Sequence, residues 1–142
     1  MNKWKKVEEV MTKEVMTVGP YNCMDEVQRV FEQEAFHHLP VVEDGKVVGI
    51  LSKTDYLRLL HGFTLFKTSK SDAYNKAVMQ SLLVKEVMTA SVVKVKKGDS
   101  LGYAAEIFRE NYFHALPVVD ETGAIEGIIT TYDLLMDAYS SN

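Results

Sequence analysis

The stretch His37-His38-Leu39-Pro40-Val41-Val42 returns as His114-Ala115-Leu116-Pro117-Val118-Val119, 77 positions further along the chain. Val10-Met11-Thr12 returns at the same displacement as Val87-Met88-Thr89. Downstream, Gly49-Ile50-Leu51-Ser52-Lys53-Thr54-Asp55 returns as Gly127-Ile128-Ile129-Thr130-Thr131-Tyr132-Asp133, now displaced by 78. The added residue falls in the turn before Gly127, where a loop is expected. One unit is written twice. A repeat unit exposes an apolar face that it cannot bury alone, so the two copies are expected to pack on each other about a pseudo-two-fold axis, with any cleft between them occurring in pairs.

Each half follows the same order of elements. Val15 to Val18 reads as extended, Gly19-Pro20-Tyr21-Asn22 as a turn, and Met24, Val27, Val30 and Phe31 fall at helical spacing, predicting a helix from about Met24 to Ala35. Leu39 to Val42 and Lys46 to Leu51 are branched and apolar. They flank Glu43-Asp44-Gly45, whose chemistry is that of a hairpin turn. A helix follows, from Ser52 or Asp55 to Leu60. The second half predicts strands over Val92 to Val95, Leu116 to Val119 and Ala124 to Thr130, with helices over Leu101 to Asn111 and Tyr132 to Tyr139. Between the halves, His61 to Lys70 reads as a connecting loop and Asp72 to Leu83 as a helix capped by Ser71 or Asp72. The expected fold is therefore α/β (α+β), with two pseudo-two-fold-related β-α-β-β-α repeats in one compact module. Residues 7–62 form the first repeat, 63–83 the connector and 84–140 the second.

Composition bounds the function. With 142 residues, 46% apolar and 25% charged, the chain is long enough for one good core and too short for two large independent ones. The single cysteine, Cys23, excludes an internal disulfide and a multi-cysteine metal site, and fits the reducing cytoplasm. Lys3, Lys5 and Lys6 surround Trp4, but no apolar run follows that could act as a signal or membrane span. A net charge of −4 with scattered lysines gives no footprint for nucleic acid.

The succession Val-Met-Thr, a turn and helix, a Leu-Pro-Val-Val strand, a Gly-bearing strand and then Ser or Thr three residues before Asp resembles the cystathionine-β-synthase (CBS) domain, here in tandem as a so-called Bateman module. The resemblance spans nearly the whole chain. It implies a regulatory module, without catalysis, that binds adenosyl compounds (AMP, ADP, ATP or S-adenosylmethionine) in clefts between the two halves.

The pairs Ser52 with Asp55 and Thr130 with Asp133 have two readings. By spacing alone each is a capping box, stabilising its helix by about 0.5–2 kcal/mol. Alternatively, a carboxylate not consumed by capping can accept both hydroxyls of a ribose. The resemblance implies this second use, with the hydroxyl residue reaching a phosphate at the positive end of the helix. It further implies that Asp133, Thr130 and Tyr132 face Thr12, Met16, Thr17, Val18 and Phe36, and that Asp55, Ser52 and Thr54 face Thr89, Val93, Lys94, Val95 and Phe113. Flat or branched apolar side chains there suit an adenine ring whose edge bonds to backbone; Met16, Phe36 and Phe113 equally read as plain core.

His37, His38 and His114 precede the proline-bearing strands, where the family often places basic residues that touch phosphate; a half-buried imidazole bonded to backbone is the other reading. His38 is matched by Ala115, so the two phosphate ends differ. A metal needs three or four converging ligands, which adjacent histidines without an acidic or cysteine cluster do not supply. Departures from the family pattern are Lys97 where the first half has Pro20, and Tyr132 where it has Thr54: the ring could stack on a ligand or fill its space.

Three function classes remain. One is an adenosyl-metabolite sensor acting on a separate, unidentified effector protein. Another is a structural or oligomerisation module without nucleotide. For the third, an enzyme, the sequence offers no nucleophile paired with a base, no glycine-rich phosphate loop and no metal-ligand set. The helices ending each repeat carry apolar residues on more than one face (Tyr56, Leu57, Leu59 and Leu60; Leu134, Leu135, Met136, Ala138 and Tyr139), which predicts a homodimer.

Overall fold

The structure, a computed structural model, describes residues 1–63, 69–111 and 113–140. It is mixed α and β: α1 (Met24–Gln33), β1 (His38–Glu43), β2 (Lys46–Ser52), α2 (Lys53–Phe63), α3 (Ser69–Ser81), α4 (Val84–Val87), β3 (Thr89–Ala90), β4 (Val95–Lys96), α5 (Leu101–Asn111), β5 (Ala115–Val119), β6 (Ile125–Thr130) and α6 (Thr131–Ser140), with a 3-10 turn at Val7–Glu9. Two compact units result. One, the central unit, comprises Met16–Glu43 and Val48–Ser91; the other, the terminal unit, comprises Met1–Val15, Asp44–Val47 and Val92–Asn142.

In the central unit the sheet order is β1-β2-β3. Asp44 and Gly45 both take positive φ, 50° and 76°, the twist that suits a two-residue hairpin turn. The α1 stripe Met24, Val27 and Phe31 is buried at i, i+3 and i+7, with Asp25 and Glu26 at the positive end of the helix. These residues share a core with Leu39, Val41, Leu51, Tyr56, Met79 and Val84. The Phe31 and Tyr56 rings stack 5.6 Å apart. Burial first, then the nearby Glu32 carboxylate, push the Tyr56 phenol up to about 12.

The terminal unit holds a sheet of order β4-β5-β6, in which β5 and β6 take the places of β1 and β2 and the third strand, β4, lies on the opposite edge from β3. β4 pairs parallel to β5, Val95 opposite Val118, and β5 antiparallel to β6. Every residue of β5 is buried, as a central strand covered on both faces requires. The extra residue lies in the β5–β6 turn. There Asp120 Oδ1 accepts hydrogen bonds from the Thr122 N–H and hydroxyl and from the Ala124 N–H, at 2.8, 2.6 and 3.1 Å. These bonds hold the Asp120 carboxyl below its ordinary range.

The opening segment of each repeat packs in the unit that holds the other repeat's helices. In the terminal unit, the Val7 N–H donates to the Asp99 carbonyl (2.9 Å), Glu8 to Lys97 (3.0 Å) and Leu101 to Lys5 (2.8 Å). The central unit carries the same bonds with one partner 77 residues on and the other 77 residues back: Val84 to Asn22 (2.9 Å), Lys85 to Pro20 (2.9 Å) and Met24 to Leu82 (2.8 Å). Even the local cap is copied, with Glu9 Oε1 accepting from the Lys6 N–H and Glu86 Oε2 from the Leu83 N–H, at 2.7 and 2.8 Å.

The extended segments and the connector differ from expectation. The segment over Val15 to Val18 makes only a parallel bridge from Val18 to Val41, and its second-half counterpart is reduced to Val95–Lys96. The stretch His61–Lys70 is helical at both its ends, since α2 runs to Phe63 and α3 starts at Ser69, before the expected caps Ser71 and Asp72. Gly62 in the last turn of α2 is too weak a breaker to stop it sooner; residues 64–68 lie outside the described residues.

Candidate functional site

The strand β2 delivers Ser52 to the N-cap of α2, and β6 delivers Thr130 to the N-cap of α6. Both capping boxes form. The Asp55 N–H donates to Ser52 Oγ (3.0 Å) and the Ser52 N–H to Asp55 Oδ2 (3.3 Å). At the other motif the Asp133 N–H donates to Thr130 Oγ1 (3.2 Å) and the Thr130 N–H to Asp133 Oδ2 (2.8 Å). Capping uses one oxygen of each carboxylate. Among the described residues no donor reaches Oδ1 of Asp55 or Asp133, and both side chains are only half-buried.

The residue before each proline-bearing strand locks the same helix start. The Lys53 N–H donates to the His37 carbonyl at 2.7 Å, and the Thr131 N–H to the His114 carbonyl at 3.0 Å. His37 and His114 are exposed while His38 is half-buried at the start of β1. Their backbone is therefore structural whatever their rings do.

The Val-Met-Thr motifs are explained by two glycines. A Cβ on Gly127 would lie 2.8 Å from both Met11 Sδ and the Thr12 carbonyl oxygen; one on Gly49 would lie 2.5 Å from Met88 Sδ and 3.0 Å from the Thr89 oxygen. Thr12 is bonded in both directions to Ile128, N–H to carbonyl at 2.9 Å each way, and Thr89 pairs with Ile50. So Thr12 sits beside the strand that ends at Thr130, and Thr89 beside the strand that ends at Ser52. The repetition of these glycines was visible in the sequence, but their partners were not.

The remaining predicted residues divide by unit. Met16, Thr17, Val18, Phe36, His37, His38, Ser52, Thr54, Asp55 and Thr89 belong to the central unit; Thr12, Val93, Lys94, Phe113, His114, Thr130, Tyr132 and Asp133 belong to the terminal one. Phe36 packs on the central core and Phe113 on the terminal core, as their plain-core reading requires, and Val18 and Val93 do the same; Met16, exposed, departs from that reading. Met16, Thr17, Lys94 and Tyr132 are exposed. In the terminal unit Asp133 and Tyr132 line a shallow groove of about 280 Å³ with Lys5, Glu9, Met136 and Asp137. A larger trough in the central unit, about 580 Å³ between α1 and α3, holds none of the predicted residues. Its lining mixes Asp25, Glu32 and Asp72 with Arg29 and Lys76, a balance that gives no basic surface for a phosphate. Among the described residues no cluster could hold a metal ion and no helix is long and apolar enough to cross a membrane.

Known proteins share this arrangement. A family profile for the CBS domain matches residues 7–62 and 84–138. The protein MJ1225 of Methanocaldococcus jannaschii is 35% identical over 129 residues, covering 91% of this chain and 45% of MJ1225. Its crystal structure superposes with a TM-score of 0.77, at 31% identity, over 97% of this chain and 49% of that one. The inosine-5'-monophosphate dehydrogenase of the same organism is 34% identical over 132 residues, 92% of this chain and 23% of the enzyme. CBSX2, a protein of Arabidopsis thaliana solved in complex with AMP, superposes with a TM-score of 0.75 at 27% identity, over 96% of this chain and 97% of that one. The chain thus spans less than half the length of the curated relatives it matches. With the repeat, the paired capping boxes and these likenesses in agreement, the chain belongs to the CBS-domain family and carries the domain twice.

Proposed function

We propose that the chain is a regulatory module, not a catalyst, that binds adenosyl compounds (AMP, ADP, ATP or S-adenosylmethionine) at its two Ser/Thr–Asp motifs and acts on a separate effector protein in the cytoplasm. The observation that carries this reading is the unspent Oδ1 of Asp55 and of Asp133, each beside a capped helix start, in a chain similar to one solved with AMP. In this reading Asp55 and Asp133 accept the ribose hydroxyls. Ser52 and Thr54 reach phosphate beside His37 and His38, while Thr130, beside His114, orients Asp133. Thr12 stands beside the strand that leads to Asp133, and Thr89 beside the one that leads to Asp55. The similarity to inosine-5'-monophosphate dehydrogenase fits a controlling role, since it covers under a quarter of that enzyme.

A thermal melt tests it. Ligand at a hundredfold excess over its dissociation constant adds about 2.7 kcal/mol, so the midpoint should rise by roughly 8 °C for a chain of this length. AMP, ADP, ATP and S-adenosylmethionine, each at millimolar concentration, are the trial ligands. No shift with any of them would leave the chain a structural module.

The same module is expected to be a homodimer. On α6, Leu135, Met136 and Tyr139 fall at i, i+1 and i+4 and are 64, 41 and 78% exposed. That apolar stripe is extra to the one that buries Leu134. A two-fold pairing buries such a stripe against its own copy. Light scattering should return twice the 16.1 kDa monomer mass; a monomer would reserve the stripe for another protein.

A further inference from the structure

The two motifs share a backbone but not a set of free donors. At the terminal motif the Thr130 hydroxyl donates its proton to Asp133 Oδ2 at 2.7 Å, so Oδ2 already holds two hydrogen bonds, and the hydroxyl has no proton left for a ligand. At the central motif no such bond forms. Ser52 Oγ only accepts, from the Asp55 N–H, and its own proton is unspent among the described residues. The next position widens the difference. Lys53, half-buried on the first turn of α2, occupies the place of the neutral Thr131 on α6. Among the described residues the Lys53 ammonium lies in no ion pair. One position further, a small hydroxyl, Thr54, is replaced by the Tyr132 ring.

We infer that the two motifs select different parts of an adenosyl ligand: the Ser52–Lys53–Asp55 motif is the polyphosphate-selective one, and the Thr130–Thr131–Asp133 motif binds the nucleoside with little regard to its phosphates. The inference rests on the proposed function and adds to it which motif reads the phosphate chain and which residue does so. A proton-donating hydroxyl and an ammonium at a helix start favour each added phosphate oxygen through charge-assisted bonds. At Thr130 those donors are absent or consumed, and the unspent carboxylate oxygen with the exposed tyrosine ring remains for the sugar and base. Lys53 is thereby the specificity-determining residue.

Calorimetry of the full chain with ATP and with adenosine tests the assignment. In an Asp133→Asn background, Lys53→Thr should weaken ATP roughly ten- to a hundredfold and adenosine less than about twofold. In an Asp55→Asn background, Thr131→Lys should strengthen ATP about tenfold and leave adenosine unchanged. Each substitution copies the residue at the same helix position of the other repeat, so both helices keep an accepted first turn. Equal losses of ATP and adenosine in Lys53→Thr, or no loss of ATP, would overturn the assignment while leaving adenosyl binding intact. So would loss of tight ATP binding in Asp133→Asn alone. If the unsubstituted protein binds neither ATP nor adenosine, the assignment falls; if it also binds none of AMP, ADP and S-adenosylmethionine, the proposed function falls with it.

Discussion

Gly127→Ala is expected to lower stability by about 2 kcal/mol, in the range found when a packed site is overfilled, and the melting midpoint by roughly 6 °C. The added methyl would lie 2.8 Å from the Thr12 carbonyl oxygen, a backbone atom, and 2.8 Å from Met11 Sδ. The sulfur can swing away. The carbonyl cannot, because Thr12 and Ile128 are tied by reciprocal hydrogen bonds of 2.9 Å. Relief therefore requires breaking that pair, so the Thr12 and Ile128 amides should exchange with solvent faster in the variant. Gly98→Ala is the control: a Cβ there meets nothing within 4 Å, and its midpoint should stay within about 2 °C of the parent. A Gly127→Ala protein that melts like Gly98→Ala would show that the close approach does not hold the opening segment.

The double substitution Asp55→Asn with Asp133→Asn is expected to lower AMP affinity a hundredfold or more while the fold persists. An asparagine oxygen can still accept the capping N–H now taken by Oδ2, so each helix keeps its cap and loses only the favourable charge in its first turn, about 0.3–1 kcal/mol. The second carboxylate oxygen becomes an NH2 group, which cannot accept a ribose hydroxyl. Losing a hydrogen bond to a charged acceptor costs about 1.5–3 kcal/mol, and two hydroxyls are affected at each motif. Calorimetry with AMP reads the affinity, and circular dichroism melts of the free proteins check the fold. Undiminished AMP binding in the double variant would remove both aspartates from the site.

What the sequence disclosed follows from the range of each interaction. The helices over Met24–Gln33 and Leu101–Asn111 and the strands around Pro40 and Pro117 are written in local periodicity, and their positions could be read to within a residue or two. The capping boxes are equally local, three residues from hydroxyl to carboxylate. The long-range pairings of the glycines were hidden. Nothing near Gly127 says that Met11 and Thr12 lie against it, since the partner is more than a hundred residues away. The hydroxyl proton was equally out of reach: Ser52 and Thr130 match in type and spacing, yet only the Thr130 hydroxyl donates to its aspartate, while that of Ser52 stays unspent among the described residues. For the same reason residues such as Val93 and Phe113, which suit an adenine face by their chemistry, meet the terminal core in the structure.

The pairing of residues 3–12 with residues 97–128 has a kinetic meaning. During synthesis residues 3–12 leave the ribosome long before the strand and helix start that receive them. The terminal unit cannot close until Ile128 has emerged, whereas every residue of the central unit is available once Ser91 is out. Such sequence-distant contacts raise contact order and slow folding. Domains whose residues are made first tend to fold first. Residues 16–91 are therefore placed to fold first, with residues 3–12 waiting unpaired until residues 97–128 have emerged.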